Sequence, residues 1–199
     1  MNVVFVTQRV DVLTDRNEVR DSLDQRWSIL LMDCGILPVI VPNSANIAIT
    51  LYEKLSPSGL LLTGGNNLET YGGDAPERDQ TERMLVDKFR GDRKPILGVC
   101  RGMQILQHIF GQELVHIDGH VAQRKQITYR GVTRAINSYH TLGAYNNTTE
   151  FSVDARSSDN VIKAISHPIA PIVGIMWHPE RESVFCEHDI QFIKEFFHS

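Results

Sequence analysis

Pro95-Ile96-Leu97-Gly98-Val99-Cys100-Arg101-Gly102-Met103-Gln104 is the stretch on which the reading of this chain turns. Pro95–Val99 is short and apolar and predicts a buried strand. From Arg101 to about Phe110, the residues Met103, Ile105, Leu106, Ile109 and Phe110 predict a helix apolar on most sides. One cysteine stands at the junction, with a glycine two residues away on either side. This is the nucleophile-elbow pattern with cysteine in place of serine. A sharp strand-to-helix turn strains the nucleophile's backbone and leaves no room beneath it for side chains. The chemistry fits the position. Unpaired N–H groups and the helix dipole favour a thiolate at a helix N-terminus. The Arg101 side chain is expected to add positive charge, and its backbone N–H to stabilise an oxyanion. A buried structural cysteine is the plain alternative, and the paired glycines weigh against it.

Outward from the elbow, strands and helices alternate. Asn2–Thr7, Ile36–Val41 and Gly59–Thr63 predict strands, and Arg9–Arg16 a loop. Asp15 and Glu18 fit a capping box. It opens a helix carrying Val19, Leu23, Trp27, Leu30 and Cys34, with Gly35 as its stop. Ile47–Leu55 predicts a short helix. Leu68–Glu77, rich in Gly and Pro, predicts a loop at the active site. Pro76 starts a helix to about Arg90 with Met84, Leu85 and Phe89 facing inward. Past Gly111, Lys125–Tyr129, Ala135–Asn137, Phe151–Ala155 and Val161–Ser166 predict shorter strands. Ile172–Trp177 is another strand, and a final helix from about Asp189 carries Ile190, Ile193 and Phe197. This order predicts a single α/β domain over residues 1–199, a mostly parallel sheet between helical layers, with added antiparallel strands.

Ile175-Met176-Trp177-His178-Pro179-Glu180 supplies a base. Pro179 keeps the preceding chain extended. Residues two apart on an extended chain share a side, so Glu180 is placed to orient His178 toward Cys100. That is the nucleophile–base–orienter set of acyl-transfer enzymes. Gly64-Gly65 closes a buried strand where α/β sheets bind ligands, and its bare N–H groups suit an oxyanion. His140 is a candidate pocket residue. His116, Asp118 and His120 raise a metal reading, but Gly119 and the lack of further ligands argue against it. No metal or cofactor is expected.

The 199 residues are 42% apolar and 22% charged, the mixture of a folded domain rather than a disordered one. The formal charge of −4 comes without a Lys/Arg block, so no nucleic-acid partner is expected. Three cysteines, Cys34, Cys100 and Cys186, do not suggest a disulfide framework. No apolar window spans a membrane, and the N-terminus does not read as a leader. A cytoplasmic protein without a membrane partner is the expectation.

Four separated motifs, Leu61–Asn67 (LLTGGNN), Gly98–Gln104 (GVCRGMQ), Ile136–His140 (INSYH) and Gly174–Glu180 (GIMWHPE), resemble the class I glutamine amidotransferase family. They are most similar to its γ-glutamyl hydrolase branch, peptidase family C26. The resemblance implies a three-layer flavodoxin-like fold with Cys100, His178 and Glu180 as the catalytic triad. It implies an oxyanion hole at the backbone of Gly65 and Arg101, and glutamyl recognition by Gln104, Ser138 and Tyr139, with Asn66 beside them. Leu142 stands where many amidotransferases carry glutamine, and Arg101 where synthase-associated subunits often carry leucine. Both point away from plain glutamine as substrate. The chain is also similar to small bacterial hydrolases of capsule phosphoramidate synthesis. That implies a nucleotide-linked γ-glutamyl conjugate, γ-glutamyl cytidine diphosphoramidate, with Arg9, Asn66, Asn67 and Arg101 as candidate phosphate contacts. The alternative is a glutaminase subunit that passes ammonia to a synthase partner.

Overall fold

A computed structural model describes residues 1–198. The first half runs β1 (Asn2–Val6), β2 (Arg9–Leu13), β3 (Glu18–Ser22), α1 (Gln25–Asp33), β4 (Ile36–Ile40), α2 (Ala45–Leu55), β5 (Gly59–Leu62), α3 (Pro76–Gly91), β6 (Ile96–Val99) and α4 (Arg101–Ile109). The second half adds β7 (Val115–His116), β8 (Val121–Tyr129), β9 (Val132–Tyr139), β10 (Leu142–Gly143), β11 (Ser152–Arg156), β12 (Ile162–Ser166), β13 (Ile172–Ile175) and α5 (Glu187–His198). The main sheet has seven strands in the order β11-β12-β13-β6-β5-β1-β4. The five from β13 to β4 are parallel, and β12 and β11 extend the sheet antiparallel. Numbered along the chain, the parallel strands lie in the order 2-1-3-4-5, the flavodoxin-like arrangement.

Burial on both faces makes the central strands continuous apolar runs: Leu60–Leu62 and Ile96–Leu97 have no exposed surface. Trp27, Leu30 and Leu31 of α1 and Ile193 and Phe197 of α5 close one face. Leu85, Val86 and Phe89 of α3 and Met103, Ile105 and Leu106 of α4 close the other, with α2 beside them. The predicted inward stripe of α3 is corrected at one position, since Met84 stays partly exposed and Val86 takes its place in the core.

The larger correction lies between β1 and α1. Arg9–Arg16 is no simple loop, and Val19 is not helical. Arg9–Ser22 forms a β2–β3 hairpin that pairs Val12 with Val19. The helix starts only at Gln25, where the Asp24 side chain accepts from the Arg26 N–H at 2.9 Å. Local spacing suited a longer helix, but Asn66 ties the hairpin down. Its side chain exchanges two 2.9 Å hydrogen bonds with the Val10 backbone, 56 residues away in sequence.

Candidate active site

The elbow is built as its sequence requires. Cys100 has φ +54° and ψ −107°, a strained conformation for a residue with a side chain. A Cβ on Gly98 would stand 2.4 Å from the Gly102 carbonyl oxygen, and one on Gly102 would stand 2.1 Å from the Leu62 carbonyl oxygen. Only bare backbone lets α4 sit this close to β5 and β6. Among the described residues, the N–H groups of Arg101 and Gly65 make no backbone hydrogen bond. Both remain as donors at the carboxyl ends of adjacent strands.

His178 follows β13 and is buried. Gly64 makes room for its ring, because a Cβ there would stand 2.6 Å from His178 Cε1. Glu180 Oε1 lies 2.6 Å from His178 Nδ1. An extended chain does not bring them together as expected: Pro179–Arg181 is a 3-10 turn, and it folds the carboxylate back to Nδ1 of the ring. From α1, Arg26 Nε donates to the Glu180 carbonyl at 2.5 Å and holds that turn. His178 Nε2 is committed to no other group among the described residues and is left to the Cys100 thiol. Burial opposes charge on the imidazole, but Cys100 and Glu180 outweigh it and lift its pKa to about 9. Burial likewise opposes the thiolate, yet His178, with Arg181 behind it, brings the Cys100 pKa below its ordinary value. The two shifts together describe a thiolate–imidazolium pair.

Cys100 opens into a cavity of about 360 Å³ lined by Arg9, Gly65, Asn66, Asn67, Gln104, Tyr139, His140 and Arg181, among others. Arg9 and Arg181 also line a smaller recess beside His178. Both guanidinium groups are partly exposed at this opening, Arg9 bonded to Asp11 at 2.7 Å and Arg181 over the Tyr139 ring.

Three side chains do not stand as the sequence suggested. The Arg101 guanidinium is buried and pairs with Asp79 and Glu82. It is therefore committed beneath the site, and the positive charge acting on Cys100 comes from His178 and Arg181. Asn66 bonds Val10, Arg78 and Asp74 through its side chain and braces the Gly64-Gly65 loop. Ser138 has no exposed surface and lies behind the wall, 3.1 Å from Lys163 Nζ. Gln104, Tyr139 and His140 do line the cavity. Of the suggested metal set, His116 is exposed, and His120 is buried against Lys163 and Asp159.

Two residues at the site were given no role by the sequence reading, although Asn137 lies within the Ile136–His140 motif. Asn137 holds His178 by a reciprocal pair, donating to its carbonyl and accepting from its N–H, both at 2.8 Å. Arg181 follows Glu180 directly, and its guanidinium lies over the ring of Tyr139 at the end of β9.

The chain belongs to the class I glutamine amidotransferase family, whose profile matches residues 18–199. It is 28% identical to the γ-glutamyl-CDP-amidate hydrolase of Campylobacter jejuni, over 98% of this chain and 96% of that protein. It is also 28% identical to the γ-glutamyl-γ-aminobutyrate hydrolase of Escherichia coli O157:H7, covering 87% and 86% of the two chains. The fold is similar to that of a GMP synthase subunit from Thermoplasma acidophilum, with a TM-score of 0.76 at 19% identity. That match covers all of this chain and 93% of the other.

Proposed function

We propose that this protein hydrolyses a γ-glutamyl amide bond through a thioester on Cys100. The observation that carries the reading is the buried Cys100–His178–Glu180 set at the wall of an open cavity, with the thiol pKa lowered and the imidazole pKa raised. The Cys100 thiolate attacks the γ-carbonyl carbon. The backbone N–H groups of Gly65 and Arg101 hold the resulting oxyanion. His178 gives its proton to the leaving nitrogen, the C–N bond breaks, and the thioester remains. His178 then takes a proton from water, whose oxygen attacks the thioester and releases glutamate and the thiolate. Glu180 keeps the ring in position throughout. Gln104 and Tyr139, which line the cavity, receive the glutamyl head group.

The leaving group we assign is a phosphorylated amine, with γ-glutamyl cytidine diphosphoramidate as the specific candidate. The Campylobacter relative spans nearly the whole chain. Arg9 and Arg181, two guanidinium groups at the opening, suit a diphosphate, which arginine can bind bidentately. Glutamate release from this conjugate, compared with glutamine, tests the assignment. The conjugate should show the higher kcat/KM, and cytidine diphosphate should inhibit competitively, more strongly at low salt. Replacing both Arg9 and Arg181 with Gln should lower the preference for the conjugate by about tenfold or more. Equal rates on both substrates, with no inhibition by cytidine diphosphate, would return the protein to a general γ-glutamyl hydrolase or an amidotransferase subunit.

A further inference from the structure

Behind the pocket wall lies a lysine that the proposed chemistry does not use. Lys163 of β12 has no exposed surface. Its Nζ stands 2.7 Å from His120 Nδ1, 2.6 Å from His140 Nε2 and 3.1 Å from Ser138 Oγ. An ammonium has three N–H donors and no acceptor, so these three partners satisfy the charged form completely. The same arrangement fixes both imidazoles as neutral rings. His120 then donates Nε2–H to Asp159 Oδ2 at 2.9 Å, and His140 donates Nδ1–H to the Leu142 carbonyl at 2.9 Å. That carbonyl also accepts from Gln104 Nε2 at 2.9 Å. Gln104 and His140 line the cavity containing Cys100. With its NH2 group held by Leu142, the Gln104 carboxamide leaves its oxygen for the pocket.

We propose that Lys163 is a positioning residue for the glutamyl head group. Through His140 and the Leu142 carbonyl, it holds the Gln104 carboxamide with its oxygen toward the α-ammonium of the substrate. This rests on the γ-glutamyl reading given above. If Lys163 loses its proton, the amine can no longer donate to all three partners. His140 is then free to take the other tautomer, which turns a bare nitrogen toward the Leu142 carbonyl. Burial draws the Lys163 pKa down to about 7; Asp159 and Cys100 pull it up and Lys125 pushes it down. Burial and Lys163 together hold His140 well below its ordinary value, at about 3, so that ring stays neutral. The groups facing Lys163 are His120 ahead of β8, Lys125 on β8, Ser138 on β9, His140 just after β9, Asp159 between β11 and β12, and Cys100 at the elbow. Recognition of the head group should therefore weaken as pH rises through neutrality.

The test follows KM and kcat for a γ-glutamyl amide across this range in the wild type, Lys163→Met and Asp159→Asn. Calorimetric binding of L-glutamate to Cys100→Ala reads the same head group without turnover. Wild-type KM and the glutamate dissociation constant should both rise with pH, while kcat changes little. Lys163→Met should raise KM about tenfold and remove that pH dependence. Asp159→Asn takes an anion away from the ammonium and should move the rise in KM to lower pH, with kcat retained. This surface substitution decides the matter even if Lys163→Met does not fold. A wild-type KM and pH profile in Lys163→Met, or no shift in Asp159→Asn, would overturn the proposal. A wild type that cleaves no γ-glutamyl amide overturns the functional reading instead. Lys163 is then judged by glutamate binding alone, and glutamate affinity that is absent or independent of pH sinks it.

Discussion

A buried thiol and a buried imidazole each resist carrying charge alone, and each makes the other's charge tolerable. Cys100 and His178 are in that position, with Glu180 closing the far side of the ring. Cys100→Ala removes one sulfur atom from the wall of a cavity and should leave the fold intact. It should lower turnover by about 10,000-fold, and the γ-glutamyl adduct expected in mass spectra of the wild type with a slow substrate should be absent. Glu180→Gln should cost less than His178→Ala, because a neutral amide still accepts the Nδ1–H bond. The reverse order would reassign the base. The ion pair also sets a pH window. Its alkaline end is the loss of the His178 proton near pH 9, and its acid end lies below the ordinary thiol value. Iodoacetamide should therefore alkylate Cys100 of the wild type faster, at pH below the ordinary thiol value, than it alkylates Cys100 in His178→Ala. In His178→Ala the rate should rise with pH as an ordinary thiol's does.

The elbow is the element on which geometry depends most. α4 approaches β5 so closely that the Leu62 carbonyl oxygen would lie 2.1 Å from a Cβ on Gly102. Gly102→Ala must push the helix away, with a cost of about 3 kcal/mol in overpacking. Urea unfolding should show that loss, and activity should fall with it because the Arg101 N–H moves as well. The elbow was legible in sequence because glycine spacing and the strand–helix switch are local. The β2–β3 hairpin was not. Asp15 and Glu18 offer a capping box, and Val19, Leu23 and Trp27 offer helical spacing. The competing hairpin is held by Asn66 and by Asn43, which bonds Asp21. Such partners are far away in sequence, and no window around residue 19 contains them. Met84 shows the same limit, since helical period alone did not say which neighbour faces the core.

Across the whole molecule, a buried charge network joins the layers beneath the site. Glu82 of α3 bonds Arg78 on its own helix, Arg101 of α4 and Thr7 after β1. Arg78 reaches on to the Thr63 carbonyl at 2.8 Å, under the Gly64-Gly65 loop. Glu82→Gln removes the shared anion between two buried guanidinium groups and should destabilise the protein by about 3 to 5 kcal/mol. Chemical denaturation measures this directly. Burial works against the Glu82 carboxylate, but Arg101 and Arg78 outweigh it and lower its pKa. A lowered carboxyl pKa stabilises the fold at pH above the group's ordinary value. That contribution is lost as pH falls through the lowered value. The acid limb of the stability profile should accordingly flatten in Glu82→Gln.

By itself the sequence determined the layered α/β fold and the strained elbow at Cys100. Apolar runs, breaker residues and glycine spacing act between near neighbours, so they can be read along the chain. The four motifs added the family. Only the tertiary structure decided which charges reach the pocket. Arg101, beside Cys100 in sequence, turns its guanidinium into the protein because Asp79 and Glu82 await it there. Arg181 and Arg9, 172 positions apart, meet at the opening because β1 and β13 both end at the same edge of the sheet. A side chain's electrostatic role depends on its partners in space, and those are set by how the strands are ordered.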